Sequence, residues 1–186
     1  PDLGFDRSIN PYRGCEHGCI YCYARPTHEY LNLSAGLDFE TRLTVKSNAA
    51  DALLRELAKP GYLVSPINLG ASTDPYQPIE RRYTITRQII EVLARVRHPL
   101  SIVTKNALVV RDIDLLAPMA LAGLAQVFIS VTTLDNHLAS QLEPRASAPH
   151  ARLRAVAELA AAGIPVGVFV APVIPAITDS ELEAVM

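Results

Sequence analysis

Apolar residues along the chain fall into two alternating textures. Residues 63–69, Leu-Val-Ser-Pro-Ile-Asn-Leu, form a short apolar run that predicts a buried strand. Ile85, Ile89, Leu93 and Val96 recur at helical spacing and predict an amphipathic helix over 83–97, stopped by His98-Pro99. Residues 100–104 predict the next strand, and 113–122 a helix closed by Gly123. The β-branched positions of 125–132 predict a further strand. A helix over 150–162 would place Leu153, Val156, Ala157 and Ala160 on one face, with Gly163 just past its end. A strand over 166–171 and a helix from 179 to 186, capped by Thr178, complete the pattern. Upstream, 8–12 reads as a first strand, and Ser47 or Asn48 caps a helix that reaches Ala58 before Pro60.

Strands that read as apolar on both faces, alternating with helices, predict an α/β fold with a parallel sheet covered by helices. About five βα units fit in the 186 residues, whereas a closed eightfold barrel needs about 250. An open or partial barrel, or a doubly wound sheet, is expected. In either architecture function gathers where strands run into loops. The first strand runs into three cysteines and the second into Ser72-Thr73-Asp74. The third ends at Thr104-Lys105, the fourth carries Ser130, and the fifth ends at Ala171-Pro172-Val173. Packing alone does not explain polar or ligating groups at these ends.

Composition narrows the class. At 49% hydrophobic and 19% charged residues, the chain is neither disordered nor a disulfide knot. A net charge of −2 argues against a strongly basic nucleic-acid clamp. The most apolar window, 115–131, is broken by Pro118, Gly123 and Gln126 and falls short of the ~20 residues a membrane span needs. No membrane partner and a cytoplasmic location are expected. Pro1 is no initiator and Met186 falls within a helical pattern, so 1–186 is expected to be one core domain truncated at its C-terminus.

The three cysteines lie within eight residues, Cys15-Glu-His-Gly-Cys19-Ile-Tyr-Cys22. An odd, crowded set makes a poor disulfide framework and points to metal. One reading is an iron–sulfur cluster with an open coordination position, the mark of a catalytic metal centre. The other is a non-catalytic binding module with a Cys3His zinc site on Cys15, Cys19, Cys22 and His28, set on a degenerate barrel.

The spacing Cys15-x3-Cys19-x2-Cys22, with Tyr21 before the third cysteine, resembles the radical S-adenosylmethionine superfamily. The segments Asn10-Pro-Tyr-Arg-Gly-Cys15 to Arg25 and Thr73-Asp-Pro-Tyr-Gln-Pro-Ile-Glu80 are similar to its spore photoproduct lyase, or DNA repair photolyase-like, branch. The resemblance implies a partial (βα)6 TIM-like barrel and a [4Fe–4S] cluster on Cys15, Cys19 and Cys22, with S-adenosylmethionine on the fourth iron. Reductive cleavage would give a 5′-deoxyadenosyl radical that abstracts hydrogen from a substrate, in a lyase or an oxidoreductase type of reaction. It implies cofactor contacts at Tyr21, at Ser72, Thr73 and Asp74 in place of a glycine-rich segment, and at Ser130. Lys105 or Arg145 would hold the methionine carboxylate, and Val173 would lie along the adenine. The implied partners are a reductant such as a flavodoxin or ferredoxin and an unidentified substrate. Nucleic acid is a candidate substrate that the charge does not favour.

Overall fold

A computed structural model describes residues 5–185. Five parallel strands form one sheet: β1 (Arg7–Ile9), β4 (Ile67–Leu69), β5 (Leu100–Thr104), β6 (Ala125–Ser130) and β7 (Val166–Phe169), in that spatial order. Helices α2 (Ala49–Leu57), α4 (Ile85–Arg95), α5 (Ile113–Leu121) and α7 (Pro149–Ala161) connect them. The architecture is the expected α/β partial barrel.

The strands are not apolar on both faces, as the sequence suggested. Ile67, Leu69, Leu100, Ile102, Val127 and Ile129 face the helices and share one core with Ile89, Leu93, Leu116 and Leu159. The inner face alternates with them and is partly polar. Ser8, Asn68, Ser101 and Gln126 are register partners on it. The strands' shortness and embedded Ser and Asn hid this period-two pattern.

Several boundaries shift for local reasons. Residues 63–66 do not join β4: Pro66 has no N–H to give a ladder, and Leu63 and Val64 are exposed. The helix expected over 83–97 is α4 alone: Thr84 takes a left-handed conformation at φ 52°, and Tyr83 belongs to the preceding α3 (Glu80–Tyr83). On α7 the buried residues include Arg152, Ala155 and Leu159, whereas Leu153, Ala157 and Ala160 are exposed. An apolar-only reading could not place a buried arginine. Asn48 makes no side-chain cap, and Thr178 Oγ1 instead accepts from the Ile174 N–H at 2.8 Å. A 3-10 turn at Asp179–Glu181 precedes α8 (Leu182–Val185), and the Met186 end of the expected helix lies outside the described residues.

Elements with weak apolar signals were missed. They are the antiparallel pair β2 (Tyr12–Arg13) and β3 (Thr44–Val45), α1 (Leu37–Thr41), and α6 (Asn136–Leu142). Asp135 caps α6 by accepting from His137 N and Leu138 N. Among the described residues no helix is long and apolar enough to cross a membrane.

Candidate cofactor cleft and cysteine loop

The C-terminal ends of the strands open into a cleft of about 570 Å³. Cys15, Cys19 and Cys22 all line it, as do Tyr21, Ser72, Thr73, Asp74, Lys105 and Ser130. The structure thus brings most of the sequence-derived site residues together. Cys15 and Cys19 are buried, and Cys22 is partly exposed. Burial pushes the Cys15 thiol up, with Asp74 adding to it. The Cys19 thiol is pushed up to about 12, chiefly by burial, and Lys105 opposes the rise.

The cysteine loop is tied down on every side. Cys15 N donates to Phe39 O at 2.9 Å and Ile20 N to Leu142 O at 3.0 Å. Arg25 reaches back to Cys19 O at 3.0 Å and Gly18 O at 3.1 Å. Gly18 sits at φ +70°, and a Cβ there would lie 2.3 Å from Arg145 Nη2. The turn between the cysteines therefore favours glycine for its backbone, while the Arg145 and Glu40 side-chain ends could shift aside.

The second motif is the foundation of this loop. Gln77 donates to Gly14 O at 3.1 Å and accepts from Glu16 N at 2.9 Å. Glu80 accepts from Tyr12 Oη, Thr86 N and Arg111. Tyr76 is fully buried and donates to Asp112 at 3.0 Å. Asn10 Oδ1 accepts from Ser72 N at 2.8 Å and Thr73 N at 3.2 Å, while the Thr73 hydroxyl donates to Tyr12 O. Asp74 is spent internally: it accepts from Tyr76 N, Thr104 Oγ1 and Lys105 N at 2.7–2.8 Å. His17 Nδ1 lies 3.3 Å from its other side. Burial pushes the Asp74 carboxyl up, but His17 and these donors outweigh it and hold the group below its ordinary range. His17 is 1% exposed and couples the cysteine loop to the segments that follow β4 and β5.

A second buried carboxylate organises the far wall. Glu143 accepts from Tyr21 Oη, from Thr132 Oγ1 at 2.8 Å and from Arg152, with Lys105 Nζ 3.4 Å away. Lys105 Nζ stands 5.7 Å from the Tyr21 ring centre. Burial opposes the charged form, yet Lys105 and Arg152 bring the Glu143 carboxyl down to about 2. Glu143 and Arg145, close in sequence, do not pair with each other. Arg145 pairs with Glu40, donates to Glu16 O and lies outside the cleft lining. Val173 is also outside it, 43% exposed, and Phe169, Ala171 and Pro172 line that side instead. Phe169 stacks on Phe128 at 4.6 Å.

The sequence profile of the Radical SAM superfamily matches residues 9–186. The chain belongs to this superfamily. An uncharacterized protein of Mycobacterium tuberculosis is 44% identical over 96% of this chain and 52% of its own length. An uncharacterized protein of Methanocaldococcus jannaschii is 31% identical over 93% of this chain and 62% of its own. The chain spans about half to two-thirds of these relatives. Among solved structures, spore photoproduct lyase complexed with dinucleoside spore photoproduct superposes with a TM-score of 0.65 at 19% identity, covering 94% of this chain and 48% of that one. A double mutant of that lyase with bound AdoMet and dinucleoside spore photoproduct gives 0.59 at 21%, covering 92% and 47%. These likenesses show a shared fold.

Membership of the superfamily implies S-adenosylmethionine and a [4Fe–4S] cluster. The thiols suit the cluster in kind, and they line a cleft of cofactor size with Lys105 and the Tyr21 ring, but among the described residues no three His, Cys, Asp or Glu side chains are drawn together as a metal site. For the zinc alternative, His28 does not line the cleft beside the three cysteines; its Nε2 bonds Arg42 O at 3.0 Å and its ring packs edge-on to Phe39.

Proposed function

We propose that this chain is the core domain, residues 1–186, of a longer enzyme that reductively cleaves S-adenosylmethionine to generate a hydrogen-abstracting radical. The observation that carries the reading is the meeting of Cys15, Cys19 and Cys22 with Lys105, Tyr21 and Ser130 in one cleft at the strand ends. A [4Fe–4S] cluster on the three thiols would bind the methionine end of the cofactor and pass it one electron from an external reductant, a flavodoxin or ferredoxin.

The chain's own residues bind, orient and exclude water. Lys105, with its ammonium over Tyr21, supplies positive charge for the methionine carboxylate. Glu143 fixes that ammonium and the Tyr21 hydroxyl relative to one another, so neither must be ordered on binding. Ser72 and Ser130 offer hydroxyls to the amino and ribose groups. Phe169 and Pro172 give the adenine an apolar wall in place of Val173. Asp74 and His17 keep the loop in register with β4 and β5. Substrate is left open between lyase and oxidoreductase types. The dinucleoside lesion bound by the structural neighbour supports a nucleic-acid substrate, against a net charge of −2. A cytoplasmic setting is part of the same proposal.

Anaerobic reconstitution with iron and sulfide tests the cluster. Four irons per chain and a broad visible absorption band are expected, lost when Cys15, Cys19 and Cys22 are all changed to Ala. Full iron loading of the triple variant, or a colourless protein carrying one zinc, would overturn the proposal.

A further inference from the structure

The inner face of β6 and β7 carries two phenyl rings above the polar row. Phe128 and Phe169 stack with ring centres 4.6 Å apart and planes 13° from parallel. They are not register partners: Phe128 lies opposite Gly167 and Ser130 opposite Phe169, so the stack runs diagonally across the two strands. Phe169 is 40% exposed and lines the cleft, whereas Phe128 is half-buried and does not line it. Phe128 therefore covers one face of Phe169 and leaves the other to the cleft.

Gly167 shows how the stack fits. Its φ is not in the left-handed region, so its backbone does not call for glycine, and a glycine inside a strand costs stability. A Cβ at this position would meet Phe128 Cδ1 at 2.8 Å and Cε1 at 2.9 Å. The glycine serves space: it lets the Phe128 ring lean over β7 and reach Phe169. Ser130, the register partner of Phe169, also lines the cleft. A flat apolar face and a hydroxyl thus stand side by side on adjacent strands, as base and sugar do in a nucleoside.

We infer that Phe128 is a positioning residue for the purine of the cofactor. Seated on Gly167, it sets the plane of the Phe169 ring, and the purine stacks on the free face as the third ring of the series. Phe128 acts through Phe169, so its effect is confined to ligands that carry the purine. This role rests on the radical-enzyme reading of the cleft and adds to it what orients the purine.

5′-Deoxyadenosine and methionine are titrated separately by calorimetry into the complete, iron-loaded protein and its variants, with Tm and iron per chain recorded. Phe128→Leu keeps an apolar side chain but removes the backing ring. It should weaken 5′-deoxyadenosine by about three- to tenfold and leave methionine affinity and iron content unchanged. Gly167→Ala, which pushes on the Phe128 ring, should give the same selective loss. Phe128→Tyr keeps the ring and should retain the parental affinity. Unchanged 5′-deoxyadenosine affinity in Phe128→Leu, or an equal loss for both ligands, overturns the role. So does a Phe128→Tyr variant as weak as Phe128→Leu, since the ring itself would then be irrelevant. A parent protein that binds neither ligand overturns the radical-enzyme reading, and this role with it; a parent that binds 5′-deoxyadenosine while its variants show no selective loss removes Phe128 alone.

Discussion

Replacing Arg152 by Met tests the buried charge network most severely. The Arg152 and Glu143 side chains are each 1% exposed, so water cannot compensate either one. The guanidinium also donates to Ser130 O at 2.9 Å and Ser147 O at 2.6 Å, joining β6, α7 and the loop before it. Met keeps the packing volume and removes the charge. Breaking a buried pair by removing one partner costs about 3–5 kcal/mol. The Glu143 carboxyl has the same sign: against burial, Lys105 first and Arg152 second bring it from 4.5 to about 2 and favour its charged form. With a urea m-value of about 2 kcal/mol/M, the midpoint should drop by about 2 M at pH 7. The pH dependence has a definite sign. A depressed carboxyl contributes fully above its unfolded pKa of 4.5, and its contribution is lost as pH falls through about 2. Without Arg152 the carboxyl can protonate instead, so the gap between parent and variant should narrow as the pH is lowered. The double variant Glu143→Gln, Arg152→Met leaves no buried charge unpaired and should recover part of the loss. A midpoint shift under about 0.5 M at pH 7, or about 1 kcal/mol, or a gap that widens in acid, would refute the assignment.

Three further outcomes follow from the cleft's geometry. Asp74→Ala strips partners from the Lys105 N–H, the Thr104 hydroxyl and His17, so unfolding experiments should show about 3 kcal/mol lost, and iron per chain should fall by at least half; full loading with unchanged stability would count against the loop-anchoring role. Lys105→Met should weaken S-adenosylmethionine binding by about 10- to 100-fold in calorimetry while sparing the cluster, and unchanged affinity would remove Lys105 from the site. Gly18→Ala forces a side chain into a left-handed turn at φ +70° and against Arg145, so Tm should drop by about 4 °C, and an unchanged Tm would show that the turn relaxes freely.

The sequence disclosed some layers of this molecule more readily than others. Helix punctuation was legible where chemistry is local: Gly123 and Gly163 sit at positive φ just past α5 and α7, as a C-terminal glycine should. The cysteine spacing was legible because cluster ligation needs thiols close in sequence. Contacts between distant segments were not. Arg145 reads as a carboxylate clamp, but its partner Glu40 is 105 residues away. Glu143 carries no site signal in the sequence, yet it is claimed by Tyr21, 122 residues upstream, and by Arg152. The buried Arg152 breaks the apolar stripe expected for α7 for the same reason. Asp74 reads as a cofactor contact from its place at a strand end. Only the fold shows its carboxylate already filled by the backbone and side chains of β5 and the cysteine loop. The expected apolar strands concealed the inner polar row, since a strand of three residues such as Ile67-Asn68-Leu69 is too short to declare a period.

Product analysis tests the central claim most directly. The complete, iron-loaded protein is reduced with dithionite under anaerobic conditions and incubated with S-adenosylmethionine, and the mixture is resolved by liquid chromatography with mass detection. The account predicts 5′-deoxyadenosine and methionine in equal amounts, abolished by Cys19→Ala and reduced by Lys105→Met. A protein that carries the cluster and binds the cofactor, yet forms no 5′-deoxyadenosine, would contradict it.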